Sequence, residues 1–150
     1  MKNDLFHYTS CGLRNVYLRN GFRVKETPYG RAVSIENVEG LHRAIGLRIA
    51  RNKKRLSGAE VRFLRKELDM SQATLADCLD IGETTIRNWE SGRIKTTGPG
   101  DRMIRILYLE YATDNSKVRE LVDRLAEANR VMHTKTLEFM ETKQGWREAA

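Results

Sequence analysis

Hydrophobic residues along this chain change their spacing near residue 36. Between residues 13 and 35, Val16, Leu18, Val24, Val33 and Ile35 sit among Tyr17, Phe22, Thr27 and Tyr29, with turn residues between them. β-branched and aromatic residues punctuated by turns predict extended structure. Asn20-Gly21 suits a two-residue hairpin with positive φ at both positions, and Pro28-Tyr29-Gly30 marks a second reversal before a strand at 31–35. The expectation is a small antiparallel β meander within residues 1–36.

From Asn37 the period becomes helical. Val38, Leu41, Ile45 and Ile49 recur every three or four residues, placing them on one face of a helix that ends near Asn52. Lys53-Lys54-Arg55 breaks the pattern, so 37–56 is a basic helix and linker. Ser57 and Glu60 have the spacing of a capping box, followed by the buried stripe Val61, Leu64 and Leu68. Ser71 can cap a second short helix that carries Leu75, Ala76 and Leu79 inward, and Asp80-Ile81-Gly82 is a tight turn into a third. Gly98-Pro99-Gly100-Asp101 restarts the chain as a helix with Ile104, Leu107 and either Tyr108 or Tyr111 on its apolar side. Residues 57–112 thus form a helical domain.

Beyond a hinge at 112–116, Val118, Leu121, Val122, Leu125, Ala128 and Met132 predict a long amphipathic helix from about 116 to 142, within a C-terminal unit at 113–150. Such a stripe suits either a helix packed on its own chain or half of a dimer seam. No internal repeat or low-complexity tract is evident. The fold class expected is mainly α: a helical bundle with a small N-terminal β meander and a C-terminal amphipathic helix.

Charge narrows the partner. The chain of 150 residues has 27 Lys and Arg against 20 Asp and Glu, a formal +7 and a pI near 9.6, so a polyanion leads. Nucleic acid and anionic membrane both fit. The sequence holds no 18-residue apolar run and no signal-peptide pattern at its start, which favours a cytoplasmic protein without membrane contact. Cys11 and Cys78 are too few for a disulfide framework or a four-thiolate zinc site, and His7, His42 and His133 lack ligand spacing. No metal or cofactor is expected, and no carboxylate cluster or nucleophile motif points to an enzyme.

Residues 64 to 93, LRKELDMSQATLADCLDIGETTIRNWESGR, carry the most specific pattern. Leu64-Arg65-Lys66, Ser71-Gln72, Leu75-Ala76, Ile81, Ile86 and then Trp89-Glu90-x-Gly92 together resemble the helix-turn-helix of the XRE family, the group of phage Cro and lambda repressor. The order NVYLRNGF, LHRAIG, GAEVRFLRKEL, SQATLA is also similar to MqsA-type antitoxin regulators, whose small β-rich N-terminal part precedes such a helix-turn-helix. Those regulators hold zinc through paired cysteine motifs that this chain lacks. Asp80 stands where the family often has a left-handed Gly.

The spacing has its own physics. Ala76 lets two helices cross closely, and Ile86 and Trp89 point inward, the latter as a core plug. Glu83, Thr84, Arg87 and Asn88 are thereby turned outward. Asn can read adenine, Arg guanine and Thr a thymine methyl in a major groove, while Glu83 either accepts from cytosine or orients Arg87. Backbone contacts are expected from Ser71, Gln72, Thr85, Arg93, Lys95, Lys53, Lys54 and Arg55, Gln72 on the family resemblance and the cations on charge. The resemblance implies a sequence-specific, autoregulatory repressor of double-stranded DNA, bound as a homodimer to a palindromic operator. The alternative it implies is an antitoxin-like protein that neutralises a toxin partner.

Overall fold

A computed structural model describes residues 5–52, 54–113 and 137–149, together with Lys117, Glu120, Asp123 and Arg124. Five helices described end to end pack around one core, and the described residues also form three two-stranded antiparallel ribbons. The N-terminal strands are β1 (Phe6–His7), β2 (Tyr17–Leu18), β3 (Phe22–Thr27) and β4 (Gly30–Ile35). β1 pairs with β2 and β3 with β4, so two separate ribbons replace the expected meander. The cause lies at Asn20-Gly21, where Gly21 has φ 77 while Asn20 is not among the residues with positive φ. A type I′ turn needs both, so the dipeptide links β2 to β3 without pairing them. Pro28-Tyr29 does close a hairpin, with Thr27 opposite Gly30.

Side chains fasten this region to the helices. The Tyr8 hydroxyl lies 2.8 Å from His42 Nε2, and His42 Nδ1 lies 2.8 Å from Glu67 Oε1. This chain of contacts joins the first ribbon to α1 (Val38–Arg51) and α2 (Gly58–Glu67). α3 (Gln72–Leu79), α4 (Glu83–Ser91) and α5 (Gly98–Ala112) complete the bundle. α1 packs on α5, α2 on both α4 and α5, and α3 on α4.

Local chemistry sets the helix starts. Ser57 Oγ accepts from Glu60 N at 3.2 Å and Glu60 Oε1 accepts from Ser57 N at 2.9 Å, a complete capping box. Ser71 accepts from Thr74 N at 3.0 Å, and Thr97 caps α5 by accepting from Gly100 N at 3.2 Å. Val61, Leu64, Leu75, Ile86 and Ile104 are wholly buried, and Tyr108, not Tyr111, turns inward. Its ring lies where a Cβ on Gly46 would be, and burial pushes the phenol up to about 12. Val38, the first member of the expected α1 stripe, is 43% exposed.

The basic linker is tied down by its backbone. Asp101 Oδ2 accepts from Leu56 N at 2.7 Å, and Arg105, paired with Asp101 at 2.8 Å, donates to the carbonyls of Asn52 and Lys54. Asp80 ends α3 at φ 53 and ψ 48, the left-handed conformation expected of it. Asp80→Gly relieves its Cβ there and is expected to raise stability by up to about 1 kcal/mol in urea unfolding; an unchanged or lower midpoint would contradict this.

The C-terminal expectation needs correction. Residues 139–148, the end of the predicted helix and beyond it, form a ribbon of β5 (Phe139–Thr142) and β6 (Gly145–Glu148). Aromatic residues flank a Gly145 at φ 107, and this turn chemistry overrides the helical spacing. It matches the first hairpin: Glu141-Thr142 and Gly145 repeat Glu26-Thr27 and Gly30, each Thr hydroxyl donating to the Gly carbonyl. Lys117, Glu120, Asp123 and Arg124 are helical, whereas the stripe residues Val118, Leu121, Val122, Leu125, Ala128 and Met132 lie outside the described residues. Among the described residues, no helix is long and apolar enough to cross a membrane.

Candidate nucleic-acid interface

α4 is built as a two-sided rod. Ile86 and Trp89 are 0% and 3% exposed, while Thr84 and Arg87 face solvent and Asn88 and Glu83 are half-buried. The helix begins at Gly82, which offers no side-chain cap, and stops at Gly92, left-handed at φ 79. With no side-chain cap, the positive end of the helix dipole lies beside the exposed side chains of its first turns. No side-chain hydrogen bond among the described residues engages Thr84 or Asn88. Arg87 Nη2 donates to Glu83 Oε1 at 2.8 Å, so Glu83 orients Arg87 in the free protein.

Two faces carry the remaining residues. A cleft of about 630 Å³ between α3 and α4 is lined by Ser71, Gln72, Glu83 and Arg87, joined by Arg62 and Ser91. Ser71 Oγ is committed to capping and also lies 2.9 Å from Thr74 Oγ1. Gln72 is held from below, its Nε2 donating to Glu90 Oε1 at 3.4 Å. Thr85 is half-buried, its amide turned to Gly82 O at 3.0 Å.

A second cleft of about 750 Å³ gathers Arg55 and Lys95 with Arg51, Arg102 and Arg105 around the start of α5. Asp101 is the one acid among the residues that line it, and Arg105 already pairs with it. Arg93 and Lys54 are exposed nearby in sequence, and Lys53 lies outside the described residues.

The contact that aligns these parts was not anticipated. Arg65 on α2 meets Glu90 on α4 through two parallel hydrogen bonds, Nε to Oε2 at 2.7 Å and Nη2 to Oε1 at 2.8 Å. A third goes from Nη1 to Met70 O at 2.9 Å. The two side chains are 11% and 5% exposed. Arg51 and Arg62, the latter one turn before Arg65, belong to the run of basic residues between 41 and 66, in which Glu60 is the single acid and from which backbone steering is expected; Arg102 on α5 lies outside that run and was not singled out.

A helix-turn-helix family model matches residues 61–103, which run from α2 through the turn and α4 into α5. This segment carries an XRE-family helix-turn-helix, and such a domain marks a DNA-binding regulator. No curated protein and no solved structure matches the chain.

Proposed function

We propose that this chain is a sequence-specific regulator of double-stranded DNA, a repressor that binds as a homodimer to a palindromic operator, its own promoter included. The observation that carries this reading is the presentation of Thr84, Arg87 and Asn88 outward from α4 while Ile86 and Trp89 hold it from beneath. α4 enters the major groove, where Asn88 and Arg87 have the donors and acceptors that distinguish base pairs. Releasing Arg87 from Glu83 lets it reach a guanine, and Glu83 is then free to accept from a cytosine amino group. Gln72 and Arg62 meet the backbone beside α3, and Arg55, Lys95 and Arg51 meet it past the end of α4. Two such helices, set about one turn of B-DNA apart, occupy two half-sites and exclude polymerase.

Selection of bound sites from randomised duplexes by the pure protein tests this directly. A palindromic consensus is expected, whereas no enrichment, or preference for single strands, overturns it. Asn88→Ala is expected to cost about 1–3 kcal/mol on the selected site and to relax one base position. Lys54→Ala is expected to weaken all sequences evenly and to lower the salt slope by about one. Binding titrations at several salt concentrations separate the two, and equal losses on random DNA from both would count against base reading by Asn88.

A further inference from the structure

Positive charge gathers where the end of α1, the basic linker and the start of α5 meet around a cleft of about 750 Å³. Within its lining, Asp101 and Arg105 neutralise each other, Nε to Oδ1 at 2.8 Å. Arg51, Arg55, Lys95 and Arg102 are left over, all exposed, and no hydrogen bond or ion pair among the described residues engages their side chains. The frame that holds them is fixed. Arg105 donates to the carbonyls of Asn52 and Lys54, and the Leu56 amide donates to Asp101 Oδ2 at 2.7 Å, so the linker is fastened to α5. Arg55 Nη1 lies 3.1 Å from where a Cβ on Gly98 would stand, which sets its guanidinium beside the positive end of the α5 dipole. Four cations and a helix start thus converge although they repel one another, and a multiply charged anion is the partner that relieves this.

We infer that this cleft binds a small molecule bearing a di- or triphosphate group, and that the bound ligand displaces the operator. The volume falls in the range of small-molecule sites, about 300–1,000 Å³. None of the described residues that line it is aromatic, so recognition falls on the anion and not on a stacked ring. A terminal phosphate carries roughly −1.5 to −2 charges near pH 7, so a triphosphate group carries about four, whereas a DNA phosphodiester carries one. Four unpaired cations match the former. Three of them are guanidiniums, whose paired donors fit phosphate oxygens. Displacement rests on the reading above in which Arg51, Arg55 and Lys95 meet the operator backbone: ligand and DNA then need the same side chains, and each weakens the other. The site itself does not depend on that reading.

Calorimetric titration of the full chain with inorganic tripolyphosphate, at about 0.15 M ionic strength to screen distant charges, tests the site without DNA. Saturable binding of one tripolyphosphate per chain is expected, with orthophosphate weaker by about tenfold or more. Arg55→Ala and Arg102→Ala are each expected to weaken tripolyphosphate by about tenfold, while Lys25→Ala, which removes the same charge from β3, leaves it within about twofold. Absence of saturation overturns the inference. So does an equal loss from Lys25→Ala, which would show that the overall charge of the protein attracts the polyanion. In a second arm, tripolyphosphate is expected to release the selected operator duplex over the concentrations at which it binds, with sodium chloride at equal ionic strength as control. Saturable binding with the operator retained overturns the displacement. If α4 reads no DNA, site selection fails while the calorimetric result stands, so the two failures are distinct.

Discussion

Glu90→Ala is expected to lower the unfolding free energy by about 3–5 kcal/mol, because it leaves the Arg65 guanidinium charged and buried with most of its partners gone. The size of the effect follows from geometry. Two parallel hydrogen bonds at 2.7 and 2.8 Å satisfy both carboxylate oxygens, and the Met70 carbonyl alone cannot replace them. Removing both charges is a different matter: Arg65→Met with Glu90→Leu exchanges a desolvated pair for apolar packing and is expected to recover most of the loss. Urea unfolding of the two single variants and the double variant measures the coupling. A single-variant loss below about 1 kcal/mol would show that water reaches Arg65 and that the pair is a surface contact in energy. Glu90 also steadies Gln72, so DNA binding by the single variant is expected to fall beyond what its lower folded fraction explains.

The unequal legibility of these features has physical causes. Helix starts at Ser57 and Ser71 show in sequence because capping is a contact over three residues, and the left-handed Asp80 shows because turn chemistry is equally local. The outward face of α4 follows from Ile86 and Trp89 alone, since helical spacing places everything else by subtraction. The β1–β2 ribbon escapes because two-residue strands have no measurable period. At 139–148 the helical stripe misleads: Met140 continues the spacing, but Gly145 and the aromatic residues Phe139 and Trp146 favour a hairpin. Arg65 and Glu90 are 25 residues apart, and Arg51 and Arg102 come from different helices. Charge counting finds such residues as a class without saying which of them converge. Packing decides that, and a single sequence does not record it.

Trp89→Ala is expected to cost about 3–5 kcal/mol, and its position explains why the loss extends to function. The indole is 3% exposed, and a Cβ on Gly100 of α5 would run into its far ring edge. The backbone of the same residue touches α2, where a Cβ on Gly58 would overlap the carbonyl oxygens of Trp89 and Glu90. Trp89 therefore seats α4 against α2 and α5 at once, and both glycines are small so that it fits. Deleting the indole opens a cavity beneath the face that presents Thr84 and Asn88, and the helix settles toward the core to fill it. Base recognition tolerates little movement, so affinity for the selected operator is expected to drop more steeply than affinity for random duplex. Trp89→Phe fills more of the cavity and is expected to show a smaller loss in both. Thermal unfolding paired with operator and random-duplex titrations checks the argument. Parallel losses on the two DNAs, once corrected for the folded fraction, would show that Trp89 supports the domain without setting the angle of α4.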